Sequence, residues 1–148
     1  MVLNLKEILT IFMVLFAVID IIGNIPIIID LRQKVGHVQS GKASLIAGFI
    51  LIIFLFVGEQ LLAMIGIDVH SFAVAGSLII FFIALEMILG IKIYKNDKNP
   101  LNATVFPLAF PLIAGPGSLT TLLSLKAAYS NANIIVAIVI NMLFIYIV

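Results

Sequence analysis

Four stretches of this chain each run for more than twenty residues with no more than two charged side chains: Ile8–Ile29, Leu45–Ile67, Ser71–Ile93 and Val105–Leu125. About 20 mostly apolar residues, wound as a helix, cross the hydrocarbon core of a bilayer. A soluble domain of 148 residues cannot hide four such runs, because much of its surface stays in water. The composition agrees, at 64% hydrophobic and 10% charged, where a soluble domain has about 45–50% and 25%. The fold expected is all-α: a polytopic transmembrane helix bundle forming a single integral membrane domain over 1–148. A fifth apolar run, from Ile134 to Val148, would rise only about 22 Å of the roughly 30 Å needed. The expectation is that a further helix follows it in the whole protein. The N-terminus does not read as a cleaved signal. Glu7 follows Lys6 directly, and the apolar run outlasts a signal core without a small-residue cleavage site.

Lysine and arginine set the orientation, since cytoplasmic loops carry the excess. Arg32, Lys34 and Lys42 lie between the first two spans, and Lys92, Lys95 and Lys98 between the third and fourth. The opposite side has only Lys6 and Lys126. The N-terminus is therefore expected outside, with Gly36–Ser40 and Asn96–Asn99 in the cytoplasm. Gly66-Ile67-Asp68 is a very short outer turn. Ser44/Gly48 and Ala73/Ser77 are small-residue pairs at helical spacing, which let membrane helices approach closely.

Two of the spans contain their own breakers. "AVIDIIGNIPIII" puts Asp20, Gly23, Asn24 and Pro26 deep in the first. "FPLAFPLIAGPGSLTTLL" puts Pro107, Pro111, Gly115, Pro116, Gly117 and Ser118 in the fourth. Proline removes a backbone donor and clashes with the preceding turn. Non-helical backbone survives in a membrane only where protein or a wet cavity satisfies it. The two breaks are three spans apart, and a three-span unit repeated once must be inverted the second time. Interrupted segments at matching positions of inverted halves point to a transporter's central site. The halves expected are 1–94 and 100–148, the second incomplete, with Gly23 and Gly115 as rough counterparts. Asn24 is a good cap for a new helix start, and Ser118 is a candidate cap or ligand. New half-helices after Asn24 and Gly117 would aim their N-termini, and free N–H groups, at mid-membrane.

Three carboxylates fall inside spans: Asp20, Glu59 and Glu86. Such residues are costly in lipid and usually face the bundle interior. Glu59 and Glu86 can reach an interface or a polar neighbour, whereas Asp20 sits near mid-span. A protonatable acid beside a broken helix points to proton coupling; the plainer alternative is a neutral acid in a helix contact. The chain has no cysteine, and His37 and His70 lie where spans end. Neither a metal nor a cofactor is expected. There is no His-Glu-x-x-His run for an intramembrane hydrolase. A net charge of +1 gives no reason to expect nucleic acid.

"FPLAFPLIAGPGSLT" resembles the signature of the MarC family of bacterial inner-membrane proteins, "DIIGNIP" its first-helix motif, and "GIDVHSFAVAGSLIIFFIALEMI" its third helix. The resemblance covers essentially the whole chain. It implies six helices, so the end of the fifth and all of the sixth would lie beyond this sequence. The family is similar to the lysine-exporter superfamily of efflux carriers with a three-plus-three repeat. Ile21 stands where many members have proline, and Ser77 where a second glycine is usual. The resemblance implies location in the bacterial inner membrane and no established substrate.

The leading expectation is a secondary carrier, an exporter of a small solute, and not an enzyme. Its partners would be the lipid bilayer and a small solute, with proton coupling; a homo-oligomer stays open. The alternative is a non-transporting membrane protein with a structural, assembly or signalling role. The candidate binding residues are Asp20, Gly23, Asn24, Pro26, Pro111, Gly115, Pro116, Gly117 and Ser118, gathered in one polar cavity. Glu59 and Glu86 are secondary candidates.

Overall fold

The computed structural model describes residues 3–36, 39–90 and 104–147. Among them are seven helices and no strand: α1 (Leu5–Ile19), α2 (Ile25–Val35), α3 (Ser40–Ile65), α4 (Val69–Leu89), α5 (Thr104–Ile113), α6 (Pro116–Ala128) and α7 (Asn131–Ile147). The first expected span is thus α1 plus α2, and the fourth is α5 plus α6. Their breaks leave four pieces too short to cross a bilayer singly. Among the described residues α3 has the length and apolarity to do so unaided, and α4 has 21 residues. The loop Asn96–Asn99 lies outside the described residues, as do His37 and Val38 of the other basic loop.

Local chemistry sets the ends. Asn4 starts α1 by accepting hydrogen bonds from Lys6 N at 3.1 Å and Glu7 N at 3.4 Å, satisfying donors that no helix turn precedes. Its own amide donates to Glu7 Oε1 at 3.2 Å, a reciprocal cap. At the far end of α3, Gly66 takes φ +76°, the left-handed conformation that glycine adopts most readily. Asp68 then caps α4, accepting from the Ser71 backbone N–H and hydroxyl, both at 2.8 Å. Those two bonds hold the Asp68 carboxyl below its ordinary pKa. The expected tight turn is therefore three residues long, with a stop signal and a start signal adjoining.

α1 and α7 lie side by side and parallel. Asn133 Nδ2 donates to Glu7 Oε2 at 2.6 Å, Asn141 Nδ2 to the Phe12 carbonyl at 3.3 Å, and Phe16 meets Phe144 edge-on at 5.1 Å. α3 runs antiparallel to α7: Gly41 faces Tyr146 and Gly48 faces Met142. The Ser44/Gly48 pair thus marks the α3–α7 contact. On α4 the close approach is made by Gly76, which is buried against the Pro116 ring. Ser77 is exposed and its hydroxyl donates to the Val74 carbonyl at 2.8 Å. The packing stripe of α4 is thus centred one residue before the expected Ser77.

The core is one cluster, with Ile11, Leu15, Leu51, Leu55, Ile113, Leu122, Ile134 and Ile138 fully buried. The outside is equally apolar: Leu45 is 74% exposed, Phe49 66% and Met64 82%. Contiguous exposed apolar surface marks an interaction face, here one suited to lipid. Polar side chains inside are all engaged: among the described residues no buried side-chain nitrogen or oxygen lacks a hydrogen-bond partner. A medium without water requires that.

Candidate functional site

The first break begins where Asp20 turns left-handed, at φ 44° and ψ 53°. A non-glycine residue enters that region at a cost, and Asp and Asn tolerate it best. Its N–H still closes α1 by donating to the Phe16 carbonyl at 3.0 Å. Its Oδ1 then accepts from Gly23 N at 3.2 Å. Any side chain on Gly23 would collide with that carboxylate, so glycine leaves room for the Asp20 turn. α2 starts at Ile25, with Pro26 in its first turn, where a missing donor does no harm. Asn24 occupies the cap position, but its side chain does not cap α2. It reaches back instead, donating to the Ile19 carbonyl at 2.9 Å. The end of α1 had the greater need, because its last carbonyls have lost their helical partners.

The second break follows a widened helix. Pro107 and Pro111 remove donors from α5, whose turns are π-type; Ala114 N donates five residues back, to the Ala109 carbonyl, at 2.9 Å. Such turns are rare and recur at functional positions. The chain extends at Gly115, φ −90° and ψ 175°, and α6 begins at Pro116, two residues before the expected start. Ser118 lies in the first turn of α6 and is buried. Its hydroxyl faces the carbonyls of Ile113 at 2.8 Å and Gly115 at 2.9 Å. The two breaks are therefore closed by the same device: a polar side chain five residues on reaches the last carbonyl of the half-helix before it. The device pairs Asn24 with Ser118 and Gly23 with Gly117. Gly115 meets the chain's own Pro111 carbonyl.

The breaks lie near each other. A side chain on Gly117 would meet Val18 at 3.5 Å, two residues from Asp20. Both breaks also border a cleft of about 290 Å³ between α2, α3, α5 and α7. Ile21 and Ile25 come from the first broken span and Leu108 and Ile113 from the second; Arg32, Ser40 and Tyr146 add polar groups. Asp20, Gly115 and Ser118 do not line this cleft. Asp20, Gly23, Pro26 and Gly117 are exposed, whereas Pro111, Gly115, Pro116 and Ser118 are buried. The two spans thus approach each other at Val18 and Gly117, while the polar groups expected to line one cavity divide between surface and core.

A family model described as "MarC family integral membrane protein" matches residues 5–148. The chain belongs to the MarC family. It is 40% identical over 129 residues to a "UPF0056 membrane protein" of Buchnera aphidicola subsp. Schizaphis graminum, covering 81% of this chain and 61% of that protein. It is 33% identical over 144 residues to "UPF0056 membrane protein YvbG" of Bacillus subtilis, covering 88% and 68%. A relative in Pyrococcus horikoshii, "UPF0056 membrane protein PH0760", is 29% identical over 143 residues, covering 91% and 71%. The chain thus spans about three-fifths to two-thirds of the length of the first two. No solved structure matches it. The MarC assignment makes this an integral membrane protein.

The remaining candidates in this MarC chain separate. Glu59 is exposed and lies 3.8 Å from Lys126 Nζ, an ion pair at the ends of α3 and α6 that is worth little in stability. The Glu86 side chain lies outside the described residues. Three residues that hold the helices together were not legible as such. Gly76 holds Pro116, and Asn133 and Asn141 tie α7 to α1. The two asparagines are eight residues apart in an apolar run, hence on one helix face; that spacing was the available signal. Ser118 offers a direct test. Replacing it with alanine leaves the Ile113 carbonyl without that donor, whereas the Gly115 carbonyl keeps the Leu119 N–H at 2.9 Å; the loss should cost about 1–3 kcal/mol. Thermal unfolding in detergent should fall accordingly; an unchanged midpoint would show that the Ile113 carbonyl has another partner.

Proposed function

We propose that this chain is the larger part of a secondary carrier that exports a small solute across the bacterial inner membrane. The observation that carries the reading is that both broken spans border one cleft. Broken helices at a shared cleft are the usual architecture of a carrier site, because unwound backbone there can exchange partners with a ligand. The shared five-residue closing device supports a repeat of 1–94 and 100–148, inverted by its three spans, and the bias of Lys and Arg supports a multi-pass chain with its N-terminus outside. Asp20, exposed at the first break, is the proposed proton site. The proposal includes no catalytic step.

Flux in proteoliposomes of the whole protein, measured over a metabolite panel under an imposed pH gradient, tests the carrier. Asp20→Asn keeps the side chain's shape and removes its proton. The variant is expected to lose gradient-driven flux and to retain solute exchange at equal pH. Gradient-driven flux at the wild-type rate in Asp20→Asn would remove Asp20 from the coupling.

A second reading has its own support. Asn24 and Ser118 are both bonded to backbone, and Gly115 is occupied by Pro111. A purely structural membrane protein needs nothing more of them. Absence of flux for every solute, with the protein folded and inserted, would favour that reading.

A further inference from the structure

We propose that the cleft between α2, α3, α5 and α7 binds an amphiphilic monoanion, its head on Arg32 and its apolar body along α2. The proposal builds on the cleft that the carrier reading uses, but concerns binding alone.

Ile25, Ile28, Ile29 and Arg32 all line the cleft, and their spacing puts them on one helix face. The stripe is apolar for its first two turns and ends in a guanidinium. Arginine stays charged at any ordinary pH and offers a planar fork that matches a carboxylate or phosphate. Among the described residues no aspartate or glutamate lines the cleft, so the described wall offers an anion a partner and a cation or the ammonium group of a zwitterion none. The Ser40 and Tyr146 side chains, also on the wall, carry hydroxyls suited to the same anion. From residue 25 to residue 32 the helix rises about 10 Å, roughly the length of an extended six- to eight-carbon chain. A volume of about 290 Å³ falls at the low end of small-molecule sites. Head, body and volume together define a short-chain carboxylate or the glycerol-phosphate end of an anionic lipid.

Equilibrium dialysis of labelled hexanoate tests this, with the protein in phosphatidylcholine nanodiscs and empty discs as the partition control. Saturable hexanoate binding is expected, with acetate weaker for want of a body and hexylammonium not competing. Arg32→Gln should weaken hexanoate binding about tenfold or more. Arg32→Lys should retain part of it. Arg32 is exposed, so neither variant should shift the unfolding midpoint. Replacing the lipid by phosphatidylglycerol separates the two sources. Hexanoate displaced by that lipid identifies a lipid phosphate as the occupant, and undisturbed binding identifies a free carboxylate. Hexanoate binding unchanged in Arg32→Gln, equal binding of hexylammonium, or no saturable binding would each overturn the proposal. Because no flux is measured, a failed transport assay leaves the result readable.

Discussion

Gly115→Ala should collapse the second break. The backbone angles of Gly115, φ −90° and ψ 175°, suit any residue, so conformational strain is not the reason for glycine. The reason is space: a methyl group there would overlap the Pro111 carbonyl. That oxygen belongs to the backbone of α5 and cannot swing aside as a side chain would. The chain must either open the turn between α5 and α6 or shift α5 as a unit. Either movement disturbs the buried cluster that contains Leu108, Ile113 and Leu119. The expected loss is about 3 kcal/mol or more, the upper end of the usual overpacking cost. Denaturant titration in mixed micelles would measure it. Stability equal to wild type would mean that the approach to Pro111 is looser than the structure has it.

Gly76→Leu is expected to have an effect of similar size through a different contact. Gly76 lies against the ring of Pro116, so a side chain there pushes α4 away from the start of α6. The neighbour is now a side chain, and the damage should be partly reversible. Gly76→Ala combined with Pro116→Ala should be more stable than Gly76→Ala alone, because truncating the ring returns the space. A double-mutant cycle of the two positions reads the coupling directly. Additive effects would show that the two residues do not share that space, and would move the α4–α6 contact elsewhere.

Glycine and proline made both breaks legible, because their backbone consequences are local and hardly depend on the fold. The direction of each polar side chain was not legible in the same way. Asn24 could cap the helix after it or the one before it, and only the geometry of the Asp20 turn decides. Likewise Gly76 could be told from Ala73 and Ser77 only by knowing which face of α4 meets α6. Helix ends differed from span ends for a related reason. Apolarity reports contact with lipid, not helical winding. α2 therefore continues past Ile29 to Val35 and carries Arg32 as a helical residue on a wall. Read as loop charge, the same arginine had signalled orientation only.

The Glu7–Asn133 hydrogen bond has a mechanical meaning. It fastens α1 to α7 at their first turns, whereas the cleft opens beside Ile145 and Tyr146 of the same α7. The two places are about 18 Å apart along the helix. The two helices stay joined further along, at Asn141–Phe12 and Phe16–Phe144, so they behave as one splinted rod. α1 therefore braces the helix that supplies one wall of the cleft. Asn133→Leu removes the 2.6 Å bond and should loosen that brace at its first turn.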